Sequence, residues 1–390
     1  MCTSYSFRFP ESHYSLKLSE RRHIIMDGLA ISPFIASLPK VELHVHIEGT
    51  LLPSLRWSLA KRNNISLPYP TYEALLASYA VSLTHRPELT GRTPGIPTFL
   101  EAFAAGCAVL VTEDDFYDLA MSYLARCAAM NVRYAEPFFD TQGHTARGVA
   151  PETVMNGYLR AQREGAAKYG VRSNWIYCFI RDRPIDEGLA AYEAARPWAA
   201  GAVEGGMGLF HAVGLASNAY ERPPLLFEEG FRRARADGLR VTMHCDVGQK
   251  DTHAHVSEAI FDVCGGRGAE RIDHGLDAAD DERLLTGLAD RAIGLTLCPH
   301  AYHRRTATEV LFPRIRRLVD GGVKVCINSD DPVYMHDVWI DGNMQKVYTY
   351  CSMSKAEMVQ LARNGVDMAW ASAEIKQEMY KELDAVNMDD

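Results

Sequence analysis

Four histidines and an aspartate close short β-rich runs in this chain, and side chains of these types, brought together, hold a divalent metal ion. They are His44 and His46 in KVELHVH, His244 in VTMHCDV, His274 in RIDHG and Asp330 in INSDDP. On an extended strand, residues two apart project to the same side, so His44 and His46 share a direction and Val45 turns away. Neutral imidazoles suit zinc and similar ions, and a carboxylate completes such a set. The chemistry this predicts is hydrolysis. His44, His46, His244 and Asp330 bind one ion and leave a position for water, whose pKa falls toward neutrality so that hydroxide becomes available. His274 then serves better to hold that hydroxide and share its proton. Asp330 can accept a hydrogen bond from the same group. Asp331 reads either as a turn residue before Pro332 or as a hydrogen-bonding group for substrate. His253, His255, His300 and His303 read as solvated loop residues near the same mouth.

Such residues meet only if the runs that carry them end at one place. Eight strand-like runs recur along the chain: 41–46, 132–139, 173–180, 209–215, 239–245, 271–274, 293–298 and 323–328. Most are nearly continuous in apolar residues, as expected for parallel strands covered on both faces. Helical patterns lie between them, at 151–169, 227–237 and 309–320, with Gly170, Gly238 and Gly321 at plausible helix ends. Eight β-then-α units predict an α/β fold, a (β/α)₈ barrel whose first and last strands are neighbours. An open doubly wound sheet is the alternative, weakened in its dinucleotide form because no glycine-rich loop follows the first strand. The long interval 47–130 predicts extra helices capping the active face, with Pro-rich interruptions at 67–71 and 90–97. Residues 1–30 read as an N-terminal extension of polar, irregular composition, 31–383 as one hydrolase barrel and 384–390 as an acidic tail.

The bulk composition narrows the partners. Of 390 residues, 47% are hydrophobic and 23% charged, an ordinary composition with enough chain for a large core. A net charge of −9 argues against nucleic acid or an anionic membrane as a main partner. No run approaches the ~18 apolar residues of a membrane span. The nine cysteines form no CxxC pair, so neither a disulfide framework nor a thiolate zinc site is indicated. The expectation is a cytoplasmic enzyme with a small-molecule substrate; the oligomeric state is not legible.

LPKVELHVHIEGTL, RIDHG, LTLCP and INSDDP together resemble the adenosine deaminase family of metal-dependent aminohydrolases, from about residue 38 to the C-terminal helices. AEPFFDTQGHTARG, residues 135–148, and Glu48 are most similar to the bacterial and fungal adenine deaminase branch. The resemblance implies a (β/α)₈ barrel with one divalent ion, zinc first among candidates, held by His44, His46, His244 and Asp330. It implies that His274 activates water, that Asp331 binds a ring nitrogen, and that Glu48 and Ser217 contact substrate. One departure stands out. The family glutamate that protonates the purine ring falls at Val247, which cannot transfer a proton, and Asp246 is the candidate replacement. After Cys298-Pro299 the chain reads His300-Ala301-Tyr302-His303, where the adenine type has Ser-Asn. The first expectation is therefore deamination of a purine-like amino-heterocycle by metal-bound hydroxide. The alternative is a divergent hydrolase of another C–N bond, in an amide, imine or strained ring. A third is a non-catalytic binding protein on a retained barrel.

Overall fold

The computed structural model describes residues 28–84, 98–201 and 206–388. The apolar runs form parallel strands: β1 (Lys40–Glu42), β2 (Val132–Ala135), β3 (Phe138–Phe139), β4 (Arg172–Ser173), β5 (Trp175–Ile180), β6 (Phe210–Ala216), β7 (Arg240–Cys245), β8 (Arg271–His274), β9 (Gly294–Leu297) and β10 (Val325–Ile327). Two of the eight expected runs are split. Glu136-Pro137 separates β2 from β3, and Asn174 separates β4 from β5; a proline has no N–H to give to a ladder. The strands run in the order β10-β9-β8-β7-β6-β5-β3, with β1-β2-β4 as a second ladder.

The extension of β1 closes the ring. Val45 bridges to Asp330 beyond β10, and His46 bridges to Phe138 in β3. The backbone bonds His46 N–H to Asp330 O (3.0 Å) and Ile47 N–H to Phe138 O (3.0 Å) run on its two sides. First and last strands are therefore neighbours, as the barrel expectation required. At the other end of β8, Arg271 is buried, with Nη1 2.7 Å from Glu136 Oε2 and its guanidinium 4.1 Å from the Trp370 ring. That end is filled by a compensated ion pair, and the C-terminal strand ends are left to carry the histidines.

The helices follow the sequence pattern with small shifts. Pro151–Tyr169 begins on proline and stops at Gly170, which is left-handed at φ 69°. The helix expected at 227–237 is Glu228–Ala236, entered through a tight turn at Pro224–Phe227. The next runs Thr308–Asp320, and the left-handed glycine after it is Gly322 (φ 78°), not Gly321 (φ −76°). Between the first two barrel strands stand Pro53–Arg62, Tyr72–Thr84, Phe99–Cys107 and Glu113–Ala129. The Pro-rich interruption at 90–97, most of the expected extension (1–27) and the last two residues of the tail lie outside the described residues. Among the described residues no helix is long and apolar enough to cross a membrane. Their eight cysteines are free and buried.

Candidate metal and catalytic site

The strand ends converge as the sequence expects. One ligand atom from each of His44, His46 and His244 lies within 4.8 Å of the others. The same holds for His46, Asp330 and Asp331, and for His44, His274, Cys298 and Asp330. His46 Nε2 is 3.1 Å from His244 Nε2. Asp330 Oδ1 is 3.5 Å from His44 Nε2 and 3.6 Å from His46 Nε2, too long for good hydrogen bonds. His44 Nε2 is buried without a hydrogen-bond partner. Buried nitrogens that face one another without partners are costly unless something accepts their lone pairs. Two nitrogens around one tetrahedral zinc stand roughly 3.3 Å apart, so the spacing here fits a shared divalent ion.

The groups behind the imidazoles fix which nitrogen faces inward. His244, Asp273 and Thr296 are register partners across β7, β8 and β9. The Thr296 hydroxyl donates to Asp273 Oδ1 at 3.0 Å, so its oxygen accepts from His44 Nδ1 at 2.9 Å. Asp273 Oδ2 lies 3.4 Å from His244 Nδ1. His44 thus carries its proton on Nδ1 and turns its Nε2 lone pair into the cluster, the form a metal ligand needs, and the carboxylate behind His244 Nδ1 favours the same tautomer there. Asp273→Asn should leave the fold intact and weaken metal binding by about 10–100-fold, because an amide cannot accept from both partners. Competition against a chelating dye reads this directly; unchanged affinity would discard the orienting role.

The electrostatics agree. Burial, reinforced by His244, pushes the His46 pKa down to about 3, so the ring is neutral, as a metal ligand must be. Burial works against ionisation of Asp273, yet its bond to His244 holds it well below the carboxylate range. Asp330 behaves likewise, with His44, His274 and His46 around it outweighing burial. Asp331 goes the other way: burial and the Asp330 charge push its carboxyl well up, which favours its protonated form. Burial also raises the pKa of the Cys298 thiol, which lies in the group with His44, His274 and Asp330.

Residues 39–386 match the sequence profile of the family described as adenosine deaminase. The chain belongs to the adenosine deaminase family. It is 37% identical to an adenine deaminase of Cupriavidus necator over 91% of this chain and 94% of that one. A Schizosaccharomyces pombe protein named as an uncharacterized deaminase is 38% identical over 92% of this chain and 97% of its own length. Among solved structures, the adenine deaminase of Arthrobacter aurescens superposes with a TM-score of 0.78 at 33% identity, covering 89% of this chain and 98% of that chain. A Burkholderia ambifaria amidohydrolase with bound zinc superposes at 0.76 and 25% identity, covering 93% and 96%. The protein is accordingly a hydrolase of C–N bonds of the deaminase type, on a TIM-type barrel.

Within this family frame, Glu48, Ser217 and Asp246 fall in none of the candidate ligand groups. Glu48 is buried in the turn Glu48–Thr50 just after His46. Its Oε1 accepts from Tyr158 Oη (2.8 Å) and from His144 Nε2 (3.1 Å). Arg147 donates to the other nitrogen of His144 at 2.7 Å, which explains the QGHTAR stretch as a brace for Glu48. Gly49 has no room for a side chain, because a Cβ would strike the Asp331 carboxyl. Ser217 follows β6 directly and is left-handed, φ 77°.

Strand β7 stops at Cys245, so Asp246 is not on a continuing strand. It lies in a turn with Gly248 left-handed (φ 71°), and its Oδ2 accepts from Gln249 Nε2 at 2.7 Å. Val247 packs against the main hydrophobic core. Two histidines expected to be solvated are not: His255 sits buried in the helix Thr252–Phe261 and His300 buried in Pro299–His303. Asp273, Thr296, Tyr158 and Tyr302 were not singled out from the sequence. A carboxylate inside the apolar run of β8 was the one available signal, and it marks Asp273.

Proposed function

We propose that this deaminase hydrolyses the exocyclic C–N bond of a purine-like amino-heterocycle, with zinc as the ion held by His44, His46, His244 and Asp330. The observation that carries the reading is the pair of adjacent buried aspartates, Asp330 grouped with the histidines and Asp331 with a buried, unpartnered carboxyl oxygen. As a carboxylate, Asp330 can accept from an attacking water. Asp331 in its protonated form can donate to a ring-nitrogen lone pair, which an ionised carboxylate cannot do. Its Oδ1 has no partner among the described residues. That selects an aromatic substrate with an acceptor nitrogen. A divalent ion bound there lowers the pKa of a water toward neutrality and so supplies the nucleophile. His274 holds the water in place. A C–O bond forms and the C–N bond breaks; the amine leaves as ammonia with one water proton, and the hydroxyl product relaxes to its oxo form. Glu48 and Ser217 are proposed substrate contacts. Asp246 is the proposed donor to the ring in place of the family glutamate.

A second reading has one observation behind it. Val247 is committed to core packing, so a substrate with a better electrophile than a purine ring carbon, such as an amide, imine or strained ring, would need less ring protonation. Ammonia release by zinc-loaded protein over adenine, adenosine, their N6-alkyl forms and other aminopurines separates the two. Robust release from one member is expected, and none from protein shown to hold one metal would discard the purine reading. With that substrate, Asp246→Asn should lower kcat by about 10²–10⁴-fold. An unchanged kcat would assign the ring proton elsewhere.

A further inference from the structure

The aromatic residue that follows Cys298-Pro299 by three positions, Tyr302, reaches His274. Tyr302 is buried at 2% exposure, in the helix Pro299–His303 that follows β9. Its phenol oxygen makes two contacts among the described residues. The backbone N–H of Cys298 donates to it at 2.9 Å, and His274 Nδ1 lies 2.9 Å away. An amide N–H can only donate, so it occupies a phenol lone pair. The phenol proton must then go to an acceptor, and His274 Nδ1 is the one described acceptor in reach. If His274 instead donated from Nδ1, the phenol would receive two donors and its own proton would be buried without a partner. Buried donors in that condition are rare.

We infer that Tyr302 is a positioning residue that holds His274 as the Nε2–H tautomer, so that this ring enters the site as a donor and not as a metal ligand. The arrangement is the reverse of that at His44 and His244. There, Thr296 and Asp273 take the Nδ1 proton and leave Nε2 as a lone pair. Here, Tyr302 gives a proton to Nδ1 and leaves Nε2–H. The cluster contains overlapping candidate ligand groups, among them His44, His46 and His244, and His44, His274, Cys298 and Asp330. The neighbours behind each ring decide between them. His274 Nε2–H cannot coordinate an ion, whereas it can hold a water or a departing amine by donating to it. Proton acceptance in the proposed reaction then falls to the ionised Asp330. That last role rests on the deaminase reading; the tautomer does not.

Histidine labelled with ¹⁵N and ¹³C in the zinc-loaded full-length protein reads the tautomer directly, since protonated and bare ring nitrogens resonate far apart. The His274 signal is assigned by its loss in His274→Gln. The expected result is Nε2–H for His274 and Nδ1–H for His44 and His244. In Tyr302→Phe, His274 should lose its single tautomer and give a mixture or Nδ1–H, while the zinc content stays at one per chain. On any substrate found to turn over, kcat should drop about 10–100-fold, the range for loss of an orienting partner, with KM nearly unchanged. Native His274 found as Nδ1–H overturns the inference. So does a tautomer that Tyr302→Phe leaves untouched, whatever happens to activity. If Tyr302→Phe fails to fold, the native spectrum alone decides.

Discussion

Replacing His44 by alanine is expected to remove the bound metal and to lower ammonia release by at least about 10³-fold, since metal assistance is worth several kcal/mol of transition-state stabilisation. His44 is the ring on which the site turns. It is fully buried, its Nδ1 is engaged by Thr296, and its bare Nε2 faces Asp330. The ladder fixes Val45 against Asp330 and so fixes where residue 44 projects. A loss of activity alone would not distinguish a missing ligand from a damaged core. Chelation does. A ligand present at about 1,000 times its Kd stabilises the folded state by about 4 kcal/mol, so stripping the metal should lower the Tm of the native protein clearly. The same treatment should leave the Tm of His44→Ala unchanged. A variant that keeps one metal per chain and its activity would remove His44 from the site.

Why the site was legible follows from where its residues sit. His44, His46, His244, His274 and Asp330 each close an apolar run, and in a closed parallel barrel all runs end on one face. The local pattern therefore predicted a long-range convergence. What it did not predict depends on register. The row His244, Asp273, Thr296 exists because β7, β8 and β9 pair at those three residues, and a shift of one residue would turn every one of these side chains to the opposite face. Nothing local in RIDHG or LTLCP states that register.

Backbone handedness was equally hidden. His274 (φ 64°) and Asp330 (φ 68°) leave the strand conformation at the residue proposed to do the chemistry, although the flanking residues read as β throughout. Left-handed conformations at bulky residues are uncommon and persist where the surroundings impose them. At His274 the imposing contacts are its pairing with Cys245 and the Gly275 N–H bond to Cys245 O at 3.0 Å. The loop after β7 failed for a related reason. An extended reading of Cys245-Asp246-Val247 is reasonable from residue types, but Gly248 turns the chain and its N–H is tied to Asp277 at 2.6 Å. Asp246 consequently presents itself from a turn and not from a strand.

His274→Ala should lower kcat by about 10²–10⁴-fold, the span of a positioned acid–base group, while the protein retains one metal ion. The two halves of that outcome test different things. The loss in kcat reports a group that acts on the reacting water or amine. Retention of metal reports that the group is not a ligand, and so checks the tautomer inferred from Tyr302 at a ring that also lies near His44, Cys298 and Asp330. Burial and the neighbouring His44 hold its pKa well below the ordinary value, so the ring is neutral at working pH and its contribution is a directed hydrogen bond, not a charge. His274 already carries the left-handed backbone, so the stability cost of the change comes from the cavity left by a buried ring and the loss of its bond to Tyr302. His274→Gln separates that loss from catalysis by keeping a polar side chain of similar reach. If metal leaves together with activity in both variants, His274 belongs to the ligand set and His46 and His244 do not complete it. If metal stays and kcat is unaffected, the water is held by Asp330 alone and His274 is a spectator.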